Sequence, residues 1–236
     1  MAERNEGRSL LEGWNSAPNL VTYARILLVA VFVVLLVLAG GQPTAELANP
    51  GRFGLPVGDA LAGTGVNVTL RWACAVVFLV AASTDKLDGW LARRTNAVTE
   101  LGKLMDPIAD KLLVLVTLIV LSAFGEVAWW ITVLFLVREI GITVMRFLVI
   151  DTGGKVIAAA WPGKLKTLFQ CIALTMLLAP AWTLGWLSDA AVRGFYALGM
   201  VLLVVALVLC WYSGLEYVIK TMQAAGSESA TGKGRD

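Results

Sequence analysis

The chain has 236 residues, of which 58% are hydrophobic and 15% charged, with a mean hydropathy of +0.77 and a net charge of +2. A soluble domain carries about 25% charged residues, so the composition excludes an ordinary water-soluble fold and predicts an all-α integral membrane protein. The small charge gives no basis for nucleic-acid binding, and the absence of histidine removes His-dependent zinc sites and Ser-His triads, leaving acid–base work to carboxylates, Lys, Tyr or Cys.

Residues 1–17 are polar. Leu10, Leu11 and Trp14 recur there at helical spacing, so the segment reads as a cytoplasmic interfacial stretch or as a disordered tail. Membrane crossing needs about 17 to 25 apolar residues. Runs at Leu20–Ala39, Leu70–Ser83, Pro107–Phe124, Trp129–Ile150, Leu165–Ala179 and Val192–Tyr212 predict six spans in one domain, 18–219. The first opens on Pro18-Asn19 and has no Ala-x-Ala-type cleavage site, so it reads as a retained span rather than a signal peptide. Residues 40–69, rich in Gly, Pro and Asn, read as an external loop. The second and fifth runs are short and must extend into polar sequence, the second directly into a cluster of aspartates. Residues 220–236 are expected to be a disordered tail, Gly/Ser/Thr-rich from Gly226 onward. Cys74, Cys171 and Cys210 each fall inside a span without ligand spacing and read as small buried side chains.

The cations sort by loop. Arg4, Arg8 and Arg25 lie near the first span, Lys86, Arg93, Arg94 and Lys103 between the second and third, and Lys155, Lys164 and Lys166 between the fourth and fifth. Lys220, Lys233 and Arg235 follow the sixth, whereas the alternate loops hold only Arg52, Arg71 and Arg193, with Glu126 and Asp189. The positive-inside rule therefore predicts that both termini, and a polar cavity beside the aspartates, face the cytoplasm.

Asp85 and Asp88 are three apart, and Asp106 and Asp110 four apart, so each pair shares a helix face. Two such helices facing one another would bring four carboxylates round one point. Oxygen-only ligands of that kind suit Mg²⁺ or Mn²⁺, and a pair of ions about 3.5 to 4 Å apart can clamp a phosphoryl displacement. Gly89 and Ala92 leave room for a bulky ligand, and Arg93 offers a planar fork for phosphate oxygens. Asp106 precedes Pro107, so it is either the N-cap of the third span or, if the helix starts earlier, part of a stripe with Gly102 and Asp110.

The string Asp85-x2-Asp88-Gly89-x2-Ala92-Arg93-x8-Gly102-x3-Asp106-x3-Asp110 resembles the signature of the CDP-alcohol phosphotransferase family at every fixed position. A chance match is on the order of 10⁻¹⁰ per starting position. The resemblance implies two Mg²⁺ or Mn²⁺ ions on Asp85, Asp88 and Asp106, with Asp110 completing the ligand set of the second ion or accepting the hydroxyl proton as the catalytic residue. It further implies donor contacts from Gly89, Ala92, Arg93 and Thr99, attack on the β-phosphorus of a CDP-alcohol, release of CMP, and a homodimer.

Outside the signature, Arg138-Glu139 and Arg146 sit within the fourth span, where arginines need an anion or an aqueous cavity. Glu139 could partner one of them, and a phosphorylated acceptor would serve the rest. Lys164 and Lys166 open the fifth span and suit a phosphate, or else snorkel to the interface. Together with Asn19, Thr22 and Arg25, these strings resemble the bacterial branch of the family that joins CDP-diacylglycerol to sn-glycerol 3-phosphate in the inner membrane. That resemblance assigns Asn19 and Thr22 to the donor, and Arg138, Arg146, Lys164 and Lys166 to the acceptor phosphate. Two alternatives are an inositol-phosphate or other polyol acceptor and, outside enzymology, a divalent-cation transporter. Transport sites usually lie near mid-bilayer on broken helices, whereas these aspartates fall at the end of a span.

Overall fold

A computed structural model of the chain describes residues 17–42, 65–95, 100–151 and 161–232, with side chains over 23–42, 65–83, 111–145 and 163–223. Among the described residues there are six α-helices and no strand. They are α1 (Ala17–Ala39), α2 (Val68–Thr95), α3 (Glu100–Ala123), α4 (Trp129–Asp151), α5 (Trp161–Leu178) and α6 (Asp189–Gly232), with a 3₁₀ turn at Ala181–Thr183 between the last two.

Local chemistry sets the helix ends. Asn67 caps α2 by accepting the Leu70 N–H at 3.1 Å, and Ser188 caps α6 by accepting that of Ala191 at 3.3 Å. Helix α3 closes in a Schellman turn: the Glu126 N–H reaches the Leu121 carbonyl at 2.9 Å and the Gly125 N–H that of Ser122 at 3.0 Å. Gly125 holds the left-handed residue this turn requires, at φ 76°.

The structure decides between the two starts left open for the third span, and it carries the last helix further than expected. Helix α3 begins at Glu100, so Asp106 is not an N-cap; Pro107 sits in the eighth position, and Gly102, Asp106 and Asp110 share one stripe. Glu100, Leu101, Lys103, Leu104 and Met105 are good helix formers, and they carry the helix up to a proline it then absorbs. Helix α6 runs on to Gly232, through most of the segment expected to be a disordered tail. A rod already formed extends at one hydrogen bond per added residue, and Lys220 pairs with Glu216 at 2.5 Å one turn back.

The helices pack as a closed ring in the order α1, α2, α5, α6, α4, α3, with α3 and α5 also meeting across it. Phe32 and Leu36 of α1, Phe78 of α2, Leu121 of α3, Phe135 of α4, Leu174 and Leu177 of α5 and Leu203 of α6 are buried in one core. The outer faces are apolar as well, with Leu27, Val31, Val80, Val137, Val201 and Val208 exposed. Among the described residues one helix, Asp189–Gln223, is long and apolar enough to cross a membrane, with hydropathy 2.4; Tyr23–Ala39, Val68–Ser83 and Lys111–Ala123 are shorter apolar helical stretches.

A polar clamp ties one end of the ring. Gln42 donates its backbone N–H to Glu126 at 2.9 Å and its side-chain amide to the Leu177 carbonyl at 2.7 Å. Its amide oxygen accepts from Tyr196 at 2.9 Å and from Trp182 at 3.1 Å. Arg71 forms a buried ion pair with Glu126, donates to the Gly40 carbonyl at 2.9 Å and stacks on Phe124 at 5.5 Å. These contacts gather the C-terminal ends of α1, α3 and α5 with the N-terminal ends of α2, α4 and α6. The opposite end therefore receives the N-terminal ends of α1 and α3, where Asn19, Thr22, Asp106 and Asp110 lie, and the C-terminal part of α2, where Asp85 and Asp88 lie.

Candidate active site

Helix α2 does continue past its apolar run, carrying Asp85, Asp88, Gly89, Ala92 and Arg93 on its last three turns. Asp106 and Asp110 ride on the first turns of α3. Both helices flank α1, at the end of the ring away from the clamp. The side chains of these residues, and of Asn19, Thr22 and Arg146, lie outside those described, and Thr99 lies outside the described residues altogether.

One residue beyond Asp110, the described side chains begin with a charged hub. Glu139 of α4 is buried, and three cations from three helices converge on it. Lys111 of α3 approaches Oε2 at 3.1 Å, Arg138 of α4 donates to Oε1 at 2.8 Å, and Lys166 of α5 pairs with the same oxygen. The Cys210 thiol of α6 donates to Oε1 at 3.3 Å.

Further bonds fix two of the cations. Lys111 reaches the Thr143 hydroxyl at 2.6 Å, and Arg138 reaches Ser213 of α6 at 2.7 Å. Among the described side chains, one carboxylate against three cations leaves a net charge of +2 in a largely dehydrated place. Lys111 is its most open member, with its side chain 33% exposed against 5% for Glu139. Such a site favours a dianion that can take up several N–H donors at once.

The sequence reading offered Glu139 as partner to an arginine of its span and set Arg138 and Lys166 apart for a phosphate; the structure brings these three together. Lys164 is exposed and is not among the cations paired with Glu139 in the described residues. Lys111, Thr143, Cys210 and Ser213 were missed. For Lys111 a signal existed: a lysine inside the third apolar run and a glutamate inside the fourth are opposite charges that each need a partner.

The sequence model describing CDP-alcohol phosphatidyltransferases matches residues 15–212, a stretch running from the residues before α1 to the middle of α6. The chain belongs to the CDP-alcohol phosphatidyltransferase family. It is an enzyme family. Relatives include a protein of Mycobacterium tuberculosis strain H37Rv named probable phosphatidylglycerophosphate synthase, 36% identical over 208 residues, or 88% of this chain and 82% of that protein. A CDP-diacylglycerol–glycerol-3-phosphate 3-phosphatidyltransferase of Bacillus subtilis is 37% identical over 68% of this chain and 75% of its own length. The Escherichia coli K12 protein of the same name is 38% identical over 62% and 77%. Within this phosphatidyltransferase, the signature string occupies α2 and α3, and the family match stops at Tyr212, one residue short of the hub partner Ser213.

Proposed function

We infer that this phosphatidyltransferase moves the phosphatidyl group of CDP-diacylglycerol to sn-glycerol 3-phosphate, releasing CMP and forming phosphatidylglycerol phosphate. The observation that carries the reading is the continuity of α3: past the second aspartate pair of the signature it leads directly into a hub with two cations in excess among the described side chains, beginning at Lys111 next to Asp110. The names of the relatives point to the same donor and acceptor.

The donor set fits divalent metal, being four carboxylates in two helical pairs without nitrogen or sulfur ligands. Asp85, Asp88, Asp106 and Asp110 would hold two Mg²⁺ or Mn²⁺ ions, whose charge, when bound, offsets that on the pyrophosphate oxygens. In this reading Asp110 accepts the proton of the acceptor's primary hydroxyl. The hydroxyl oxygen bonds to the β-phosphorus, and the bond from that phosphorus to CMP breaks with its electron pair leaving on CMP. Arg93 grips donor phosphate oxygens, with Gly89 and Ala92 keeping the helix face low beside it and Asn19, Thr22 and Thr99 contributing donor contacts. Arg138 and Lys166, with Lys111, Arg146 and Lys164, draw the acceptor phosphate to the hub and so hold its hydroxyl near Asp110.

The same reading sets six helices across the bacterial inner membrane, with both termini and the active site on the cytoplasmic side. Support comes from length and from polarity. The shortest helix, α5, has 18 residues and spans about 27 Å at 1.5 Å per residue, close to the roughly 30 Å apolar slab. The ring also buries Arg71, Glu126, Glu139 and Gln170 while exposing valines and leucines, the arrangement an apolar solvent favours.

The test is CMP release from CDP-diacylglycerol by purified protein with Mg²⁺ or Mn²⁺, offering glycerol 3-phosphate, inositol phosphate, serine or phosphatidylglycerol in turn. Turnover is expected with glycerol 3-phosphate. Silence with that acceptor, or faster release with inositol phosphate, refutes the assignment.

A further inference from the structure

Arg138 reaches the hub by passing close over α6. If Gly214 carried a Cβ, that atom would sit 3.0 Å from Arg138 Nε, 3.5 Å from Cγ and 3.7 Å from Cζ. Contacts as short as the first are rare for real methyl groups, and the stem has little freedom to yield. One guanidinium nitrogen is bonded to Glu139 at 2.8 Å and the other to Ser213 at 2.7 Å. Nε itself is buried and has no hydrogen-bond partner among the described residues, so a methyl group there would press on an N–H that already lacks compensation.

Gly214 lies inside a helix, where glycine is disfavoured relative to alanine, and its conformation is ordinary helix. Its use here is therefore space. We propose that Ser213 and Gly214 form a notch in α6 that positions Arg138, and that Gly214 is thereby a positioning residue for recognition of the acceptor's phosphate. Neither residue touches the acceptor; they act through the guanidinium, by aiming its fork. The inference rests on the reading that Arg138 serves the acceptor phosphate, and it adds a residue beyond the segment that the family model matches.

Alanine at 214 favours the helix but crowds Arg138, so fold and function are expected to move in opposite directions. In CMP-release assays G214A should raise the KM for glycerol 3-phosphate about tenfold, the effect of weakening one charge-assisted hydrogen bond. The KM for CDP-diacylglycerol should stay within about twofold, and the thermal midpoint should not fall. A double-mutant cycle gives the readout that a purely structural role would not move. R138K has no Nε fork to crowd, so adding G214A to it should change the acceptor KM little further.

An unchanged acceptor KM in G214A, an equal rise in both KM values, or the same G214A effect in both backgrounds overturns the notch. The underlying reading fails separately: wild type would release no CMP with glycerol 3-phosphate, or R138K alone would leave the acceptor KM unaltered.

Discussion

Among the described residues, two buried clusters carry charge, and they differ in charge balance. At one end Arg71 meets Glu126, one cation to one anion, and the remaining partners, Gln42, Tyr196, Trp182 and backbone carbonyls, are neutral. At the other, Glu139 faces Lys111, Arg138 and Lys166. The first cluster is closed, with both charged side chains at 0% and 4% exposure. The second is open through Lys111. Among the described side chains, then, the first cluster balances its charge and the second does not, and the proposed function takes the unbalanced one as the end that meets an anion.

That contrast is broken if mutations at the two ends have interchangeable effects. The largest separation is expected for Asp110→Asn, which cannot take the hydroxyl proton. Turnover should fall by roughly 10²- to 10⁴-fold with thermal stability and much of the CDP-lipid binding retained, and wild-type turnover would remove Asp110 from the mechanism. Arg71→Leu strands the Glu126 carboxylate in a buried site and should cost about 3 to 5 kcal/mol of stability. Any protein that remains folded should keep its acceptor KM; a selective rise in that KM would make the clamp part of the active site.

Smaller effects sharpen the comparison within the hub. Lys166→Ala removes half of the cation excess and should raise the acceptor KM about tenfold, or about 1.4 kcal/mol, while donor KM holds. Arg146→Ala should act the same way if its guanidinium joins the acceptor side. The least is expected of Gly125→Ala, which forces an alanine into the left-handed turn at φ 76°. A loss of about 1 kcal/mol, seen as a lower thermal midpoint at unchanged KM values, would mark that turn as scaffold alone.

How much of this was legible in the sequence depended on distance along the chain. Helix ends at Ala39, Ala123 and Trp129 follow from a glycine or an abrupt change of polarity nearby, and the extension of α2 through Asp85 and Asp88 follows from an apolar run too short to cross. The start of α3 was ambiguous because Pro107 is a strong local signal, and only the helix-forming residues before it outweighed that signal. Arg71 and Glu126 read as loop charges on the outer side; their pairing joins residues 55 apart, which no periodicity encodes. Lys111 was overlooked beside the aspartate signature although its partner Glu139 had been singled out, because their 28-residue separation hides that the two helices pack side by side.

The clamp also has an order of assembly written into it. Gln42 finds its partners at Glu126, Leu177 and Tyr196, which lie 84, 135 and 154 residues later in the chain. At synthesis rates of about 5 to 20 residues per second, Tyr196 leaves the ribosome roughly 8 to 30 s after Gln42. Until then the Gln42 amide oxygen lacks its Tyr196 donor, so the bolt that locks the bundle is fully thrown only when the final helix arrives.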